Sequence, residues 1–199
     1  MVDENGGKVL DIVGYEKGPG EVYIIMRNNN IVLIGMPGAG KSTVGVVLAK
    51  KLGYAFVDSD LVIQSREGKL LHEIIAERGN EGFWSVEETT NLSIDSVRTV
   101  IATGGSAVYG IRAMEHFKQN GTIIYLKLSC DGIADRLGNL DERGVTLREG
   151  QGLAELYAER APLYEKYADI LIECENLSIR EIVEQIVKMM PVSSCTSGR

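Results

Sequence analysis

The 199-residue chain carries a formal net charge of −7, with 44% hydrophobic and 25% charged residues. These values are ordinary for a globular protein, and the length suits one well-buried domain rather than two. An acidic chain without a basic stripe is not expected to bind nucleic acid or an anionic membrane surface.

The three cysteines, Cys130, Cys174 and Cys195, are far apart and form no CxxC pair, and the chain has two histidines. This pattern excludes a credible zinc site and gives no disulfide framework, so we expect free thiols in a reducing cytosol. There is no run of about eighteen apolar residues, and the acidic start Met1-Val2-Asp3-Glu4 is not typical of a signal peptide. We therefore expect a soluble cytoplasmic protein, a monomer, with a dimer left open.

The two ends of the chain differ from its middle. Apolar runs at Val9–Val13 and Glu21–Met26 are separated by Gly18-Pro19-Gly20, a turn signal that is typical of a hairpin. We expect a short hairpin-like extension over residues 1–30 and assign it no chemistry. The last residues, Pro191–Arg199, are rich in Ser, Thr and Gly, so we predict a disordered tail.

Between these ends, short apolar runs alternate with helical patterns. The predicted strands are Ile31–Ile34, Ala55–Val57, Val100–Thr103, Thr122–Leu128 and Ile170–Glu173. Predicted helices cover about 41–52, two or three segments within 61–97, and 111–118, 131–137, 153–167 and 178–190. The alternation predicts one α/β domain over residues 31–190, with three αβα layers and a central, mainly five-stranded parallel sheet. Such sheets bind ligands at the carboxyl ends of their strands.

The segment after the first strand, Gly35 to Ser42, reads GMPGAGKS and matches the phosphate-loop pattern GxxxxGK[ST]. Its glycines let backbone N–H groups approach phosphate oxygens without obstruction by side chains. Lys41 brings a cation to the β- and γ-phosphates, and the Ser42 hydroxyl can ligate Mg²⁺. The predicted nucleotide contacts are Gly38, Ala39, Gly40, Lys41, Ser42 and Thr43. The motif predicts a P-loop fold and nucleotide binding, but GTPases, ATPases and kinases share it.

Two carboxylates, Asp58 and Asp60, follow the second predicted strand. Side chains at i and i+2 of an extended chain project to the same side. Beside the phosphate loop, one carboxylate can hold hydrated Mg²⁺ and the other can accept the proton of a substrate hydroxyl. The alternative is a carboxylate-rich loop that caps the next helix.

With these motifs the chain resembles the shikimate kinase family, a branch of the nucleoside-monophosphate-kinase-like fold, from about residue 31 to residue 190. The resemblance rests on GMPGAGKST from Gly35, FVDSD ending at Asp60, ATGGS over Ala102–Ser106, and ERAPLYEKYAD over Glu159–Asp169. It implies a kinase that uses ATP and Mg²⁺ to convert shikimate to shikimate 3-phosphate in aromatic amino-acid biosynthesis.

The resemblance also implies roles for single residues. Asp60 matches the aspartate that contacts the substrate hydroxyls and serves as base, and Asp58 matches one that helps to position Mg²⁺. Arg160 matches an arginine that grips the substrate carboxylate, a planar anion that suits a guanidinium. Arg136 matches the arginine that packs on the adenine ring.

The family's acceptor pocket is lined by a glycine segment that matches Gly104, Gly105 and Ser106. Family members usually have a third glycine where this chain has Ser106. We expect its hydroxymethyl group either to narrow the pocket or to add a hydrogen bond.

The stretch 139–152 is polar and glycine-rich, which suits a lid that closes over ATP and excludes water. By resemblance, Arg143 is the lid arginine that approaches the transferred phosphoryl group. The family usually follows that arginine with proline and two leucines, whereas Gly144-Val145-Thr146 follows here. Arg148 is therefore the alternative for this role.

One departure bears directly on the acceptor. The family has a Phe-Arg pair in its pocket, and that arginine is the second cation on the substrate carboxylate; here the pair is Phe83-Trp84. Glu87 still matches the acidic residue that supports the missing arginine. Loss of a charge-assisted hydrogen bond costs roughly 1.5–3 kcal/mol, or about ten- to a hundredfold in affinity.

This departure leaves three readings of the function open. Trp84 points away from a preserved shikimate pocket, in which Arg66, Lys69 or Arg78 can supply the second cation. Or the pocket is rebuilt for another hydroxylated metabolite, with Trp84 stacked on an apolar or sugar-like face. The third is a non-catalytic ATP- and metabolite-binding regulatory module, against which the intact phosphate loop and carboxylate pair count.

Overall fold

The computed structural model describes residues 29–137, 145–148 and 150–190. The strands are β1 Asn30–Ile34, β2 Ala55–Asp58, β3 Thr99–Ala102, β4 Gly121–Lys127 and β5 Ile170–Glu173. The helices are α1 Lys41–Leu52, α2 Ser59–Glu67, α3 Leu71–Leu92, α4 Ile111–Asn120, α5 Cys130–Leu137, α6 Leu153–Tyr167 and α7 Ile179–Met189. The N-terminal extension up to residue 28, the C-terminal tail and much of the predicted lid lie outside the described residues.

The five strands form one parallel sheet in the order β2-β3-β1-β4-β5, with helices on its two sides. The central strand β1 pairs with β3 and β4 and is buried along its whole length. A continuous apolar run fits this place, because a central parallel strand is covered on both faces. The predicted αβα fold with a five-stranded parallel sheet is confirmed. The first and last residues of every strand lie within one residue of the predicted positions.

The region predicted as two or three helices contains α2 and α3. Helix α3 bends at Gly79, whose φ of 67° and ψ of −179° interrupt the helical backbone. This left-handed φ suits glycine, since a side chain there is strained. No helix in the described ranges is long and apolar enough to cross a membrane.

The carboxyl ends of β1, β2 and β3 lie at the same edge of the sheet, because neighbouring strands are parallel. The phosphate loop follows β1, the Asp58–Asp60 segment spans the end of β2 and the start of α2, and the Gly104–Ser106 segment follows β3. The fold therefore gathers three sequence motifs that are far apart along the chain.

Candidate active site

The phosphate loop has a backbone that only glycine adopts readily. Gly35, Gly38 and Gly40 have φ angles of 145°, 80° and 91°. A Cβ atom on Gly35 would also lie 2.7 Å from the carbonyl oxygen of Leu126. Helix α1 begins directly after the loop, so its N-terminal amides and dipole face the same place. These features suit the binding of phosphate groups.

Lys41 is buried at the start of α1, and its Nζ donates hydrogen bonds to the carbonyl oxygens of Gly35 at 2.8 Å and Met36 at 2.9 Å. Burial lowers the pKa of Lys41 to about 8, although the carboxylates of Asp60 and Asp58 oppose this shift. The ammonium group is therefore still mostly charged at neutral pH. Its place in the cavity wall suits contact with a phosphate group.

Asp58 is the last residue of β2 and Asp60 lies in the first turn of α2, so the predicted pair at i and i+2 of an extended chain is wrong. The two carboxylates also differ in their surroundings. Asp58 caps helix α2, with Oδ1 accepting a hydrogen bond from the backbone N–H of Asp60 at 3.0 Å. The capping interpretation is thus correct for this oxygen. Burial, followed by the nearby charge of Asp58, raises the pKa of Asp60 to about 6. Asp60 is therefore mostly ionised at neutral pH and is basic enough to accept a proton.

A cavity of about 440 Å³ connects the phosphate loop with the glycine segment. Its wall includes Lys41, Ser42, Asp60, Glu87, Gly104 and Gly105. Apolar side chains of Leu71, Phe83 and Val145 complete it. A cavity of this size, lined by both ionisable and apolar side chains, suits a small polar metabolite beside a nucleotide phosphate.

The glycine segment lies in close contact with charged side chains. A Cβ atom on Gly104 would collide with Oε1 of Glu87 and would lie 2.8 Å from Oδ1 of Asp60. A Cβ atom on Gly105 would lie 3.2 Å from Nη1 of Arg160. Glycine at these positions lets the three ionisable groups surround one small volume.

Glu87 is 1% exposed, and its carboxyl group is hydrogen-bonded to Ser106. The added hydroxymethyl of Ser106 therefore makes a hydrogen bond, one of the two expected effects. Oε1 of Glu87 has no hydrogen-bond partner among the described residues. Burial, with the charge of Asp60 as the second cause, raises the pKa of Glu87 to about 8. At neutral pH this carboxyl group is therefore mostly protonated.

Arg160 is also almost completely buried, at 1% exposed. Its Nη2 donates to both oxygens of Thr146, at 3.1 Å to the carbonyl and 2.7 Å to Oγ1. Its Nε donates to the hydroxyl of Tyr109 at 3.1 Å, and the guanidinium carbon lies 5.2 Å from the centre of that ring. Arg160 is next to the predicted pocket, but Tyr109 and Thr146 accept the hydrogen bonds of its Nε and Nη2, and its Nη1 lies beside Gly105.

Trp84 has the same two neighbours as Arg160. Its indole Nε1 donates to Oγ1 of Thr146 at 3.1 Å, and its ring lies 4.7 Å from that of Tyr109. Trp84 is partly buried and is not part of the cavity wall. Sequence reasoning missed Thr146 and Tyr109. The only signal for Thr146 was the departure from the family pattern after Arg143, and Tyr109 gave none.

The three candidates for a second cation do not contribute to the cavity wall. Each contacts another side chain in an exposed setting: Lys69 with Glu77 at 2.6 Å, Arg78 with Glu67 at 2.5 Å, and Arg66 with Ser93 at 2.6 Å. In the described part of the chain, Arg160 is thus the cation beside the acceptor end of the cavity, and Lys41 lies at the phosphate end.

The remaining predicted residues are placed as follows. Arg136 is exposed in the last turn of α5. Arg148 is exposed and forms an ion pair with Glu159 at 3.3 Å. Arg143 lies outside the described residues. The adenine contact of Arg136 and the choice of lid arginine therefore stay predictions.

Comparison with known proteins identifies a family to which the chain is similar. A family model described as shikimate kinase matches residues 37–191. A shikimate kinase of Thermodesulfovibrio yellowstonii is 41% identical over 162 residues, which cover 80% of this chain and 93% of the relative. The structure of a shikimate kinase from Acinetobacter baumannii in complex with shikimate is 32% identical, with a TM-score of 0.75 and coverage of 81% and 92%. That from Aquifex aeolicus is 31% identical, with a TM-score of 0.69 and coverage of 80% and 94%.

Proposed function

The chain belongs to the shikimate kinase family, and we propose that it transfers the γ-phosphoryl group of ATP to a hydroxyl group of shikimate. The products are ADP and shikimate 3-phosphate. The observation that carries the proposal is that Lys41 of the phosphate loop, Asp60 and the Gly104-Gly105 segment all line the same cavity. The related structure from Acinetobacter baumannii contains shikimate, which supports this choice of acceptor.

Asp60 is the proposed base. Its carboxylate accepts the hydroxyl proton as the acceptor oxygen bonds to the γ-phosphorus and the bond from this phosphorus to the β,γ-bridging oxygen breaks. A pKa of about 6 suits this role, because the group is ionised at neutral pH and still takes up a proton. Lys41 stabilises the charge on the transferred group, since a buried cation acts strongly where water is excluded.

The nucleotide is held by backbone amides of Gly38, Ala39 and Gly40 and by the hydroxyl groups of Ser42 and Thr43. We propose Ser42 and Asp58 as the protein ligands of Mg²⁺, which neutralises phosphate charge when bound. The described residues contain no cluster of three or more His, Cys, Asp or Glu side chains that could hold a metal alone. This is consistent with a Mg²⁺ that depends on ATP for most of its ligands.

Further parts of the proposal rest on the family pattern. Arg136 contacts the adenine ring, Arg143 or Arg148 approaches the transferred phosphoryl group from the lid, and Arg160 binds the acceptor carboxylate. We also propose that the enzyme works as a monomer in the cytoplasm, without a nucleic-acid or membrane partner.

A second candidate is phosphorylation of another small hydroxylated metabolite. It is favoured by one observation: within the described residues, no second cation accompanies Arg160 at the acceptor end. A shikimate carboxylate therefore lacks the partner that the family arginine supplies.

A coupled ADP-release assay with Mg-ATP tests these alternatives. The panel contains shikimate, related polyols, hydroxy acids and amino alcohols, and the Lys41→Met variant controls for contaminating kinases. If shikimate has the highest kcat/KM of all acceptors in the panel, the result supports the proposal. A higher kcat/KM for another acceptor supports the second candidate. No turnover of any acceptor, together with ATP binding, favours a regulatory module.

A further inference from the structure

The segment Val145–Arg148 is tied to two helices beside the acceptor end of the cavity. From α3, the amide Nδ2 of Asn80 donates to the carbonyl oxygen of Leu147 at 2.7 Å, and Trp84 donates to Thr146. From α6, Arg160 donates twice to Thr146. Thr146 is 2% exposed, so these hydrogen bonds form away from solvent.

The way in which Thr146 contacts Arg160 resembles that of a carboxylate. A carboxylate binds a guanidinium by presenting two acceptor oxygens to its N–H groups. Thr146 also presents two oxygens, its carbonyl and its hydroxyl, although both accept from the one nitrogen Nη2, whereas a bidentate carboxylate contacts two nitrogens. They are neutral acceptors, so an anionic carboxylate that replaces them makes the stronger hydrogen bonds.

Nη2 of Arg160 is not accessible to an acceptor while Thr146 stays in place. The guanidinium side chain is 1% exposed and does not form part of the cavity wall, whereas Val145, next to Thr146, does. Nη1 lies behind Gly105 of the cavity wall, 3.2 Å from where a Cβ atom of that residue would be. An acceptor in the cavity therefore reaches Nη2 only if the Val145-Thr146 segment moves.

Trp84 stabilises this arrangement. Indole Nε1 is a donor only, and it donates to the hydroxyl oxygen of Thr146 that also accepts from Arg160. An arginine at position 84 would instead place a second guanidinium near the same oxygens. Trp84 thus suits an acceptor site in which Thr146, a residue of the protein itself, accepts the hydrogen bonds of Arg160 Nη2.

We propose that Thr146, held in place by Trp84, determines acceptor specificity by occupying Arg160 until a carboxylate on the acceptor displaces it. The proposal rests on the proposed function, because it assigns Arg160 to the acceptor carboxylate. Binding of the carboxylate breaks the hydrogen bonds of Thr146, so part of the affinity from Arg160 is lost. The enzyme consequently distinguishes shikimate less sharply from an analogue whose carboxylate is replaced by a neutral hydroxymethyl group.

The Thr146→Val variant tests the proposal because it keeps the shape of the side chain and removes the hydroxyl oxygen. We expect the KM for shikimate to fall about tenfold or more, because the charge-assisted hydrogen bond from Arg160 to the Thr146 hydroxyl no longer opposes the carboxylate. The ratio of kcat/KM for shikimate to that for the hydroxymethyl analogue should rise by a similar factor. A merely structural role for Thr146 would change both substrates alike and leave the ratio unchanged, which would overturn the proposal.

Two further variants serve as controls. Thr146→Ser keeps the hydroxyl group, so it should retain the wild-type ratio; a ratio like that of Thr146→Val contradicts the proposal. Thr89→Val removes an exposed hydroxyl on the same helix as Trp84, outside the cavity wall, and should leave both kinetic constants unchanged. A change in this control as large as that in Thr146→Val would also count against the proposal.

Tryptophan fluorescence follows the displacement directly, since Trp84 is the single tryptophan of the chain. Shikimate added without nucleotide should change the emission of the wild-type protein, because the Trp84–Thr146 hydrogen bond breaks. Unchanged emission while calorimetry shows shikimate binding overturns the proposal. If calorimetry shows no binding and the assay no turnover, the proposed function itself fails, so the two failures can be distinguished.

Discussion

Replacing Trp84 by arginine changes the balance of charge at the acceptor end of the cavity. Positions 84 and 87 are three residues apart in α3, so their side chains lie on the same face of the helix. Glu87 is buried there, with Oε1 lacking a partner among the described residues. A guanidinium at position 84 therefore has a carboxyl group within reach and lies beside the place proposed for the acceptor carboxylate.

The magnitudes favour tighter acceptor binding at little cost in stability. The variant loses the aromatic pair with Tyr109, about 0.5–1.5 kcal/mol, and one hydrogen bond to Thr146, about 1 kcal/mol. An opposite charge nearby lowers the pKa of a carboxyl group by about 1–3 units. Once Glu87 is ionised, its attraction to the new guanidinium therefore stabilises the folded variant by about 1.4–4 kcal/mol, which offsets the two losses. A charge-assisted hydrogen bond to the acceptor lowers the KM for shikimate about ten- to a hundredfold.

The pH dependence of stability gives a second measurement. In the wild-type protein the pKa of Glu87 is raised from 4.5 to about 8, so the folded state holds a proton that the unfolded state releases in this window. Glu87 thus makes the wild type lose stability as the pH rises from about 4.5 to 8, at up to about 1.4 kcal/mol per pH unit. Trp84→Arg should reduce this loss. The difference between the two proteins is the quantity to compare, because Asp60 and Lys41 titrate in both.

Steady-state kinetics with shikimate and urea unfolding between pH 5 and pH 9 measure these effects. Trp84→Phe is the matched control, since it removes the indole N–H, keeps an aromatic ring beside Tyr109 and adds no charge. It should release Thr146 and lower the KM for shikimate slightly, without changing the pH dependence of stability. The reasoning is refuted if folded Trp84→Arg has a KM equal to or above that of the wild type, or if its stability depends on pH as the wild type's does.

The other predictions concern the reacting groups. Lys41→Met should lower kcat by at least about 10²–10³-fold, because it removes the cation that we propose stabilises the transferred phosphoryl group; near-normal kcat would contradict this proposed role. Asp60→Asn should lower kcat by about 10²–10⁴-fold while equilibrium binding of ATP persists, and a loss confined to ATP affinity would refute the base assignment. Since Asp60 must be ionised to act as the proposed base, wild-type kcat/KM should rise with pH through about 6, and this rise should be absent in Asp60→Asn.

Much of the fold could be predicted because its signals are local. The apolar run before Gly35 is a buried strand. The glycines before Lys41 allow the positive φ angles of the phosphate loop, a backbone that other residues rarely adopt. The signal for Asp60 is also local, because it lies two residues after the end of the short strand β2. These residues come together because parallel strands end at one edge of the sheet, a rule that needs no knowledge of side-chain packing.

The acceptor end could not be predicted in the same way. Thr146 contacts Trp84 across 62 residues and Arg160 across 14, so these hydrogen bonds depend on how α3 and α6 pack. The bend at Gly79 could not be located from sequence, because α3 contains two glycines, Gly79 and Gly82, and only the first interrupts the helical backbone. The raised pKa of Glu87 depends on burial, which sequence gives only as a tendency.

The departures from the family pattern are connected in space. Without an arginine at position 84, a buried and ionised Glu87 would be a costly isolated charge, and a carboxyl group in that position takes up a proton instead. Ser106, itself a departure, is hydrogen-bonded to this carboxyl group, while Thr146, another departure, accepts from Trp84. Contacting residues do not act additively. Trp84→Arg alone therefore recovers only part of a two-arginine pocket, because Thr146 still occupies Arg160 and Ser106 still binds Glu87. Combining it with Thr146→Val should lower the KM for shikimate further than either change does alone.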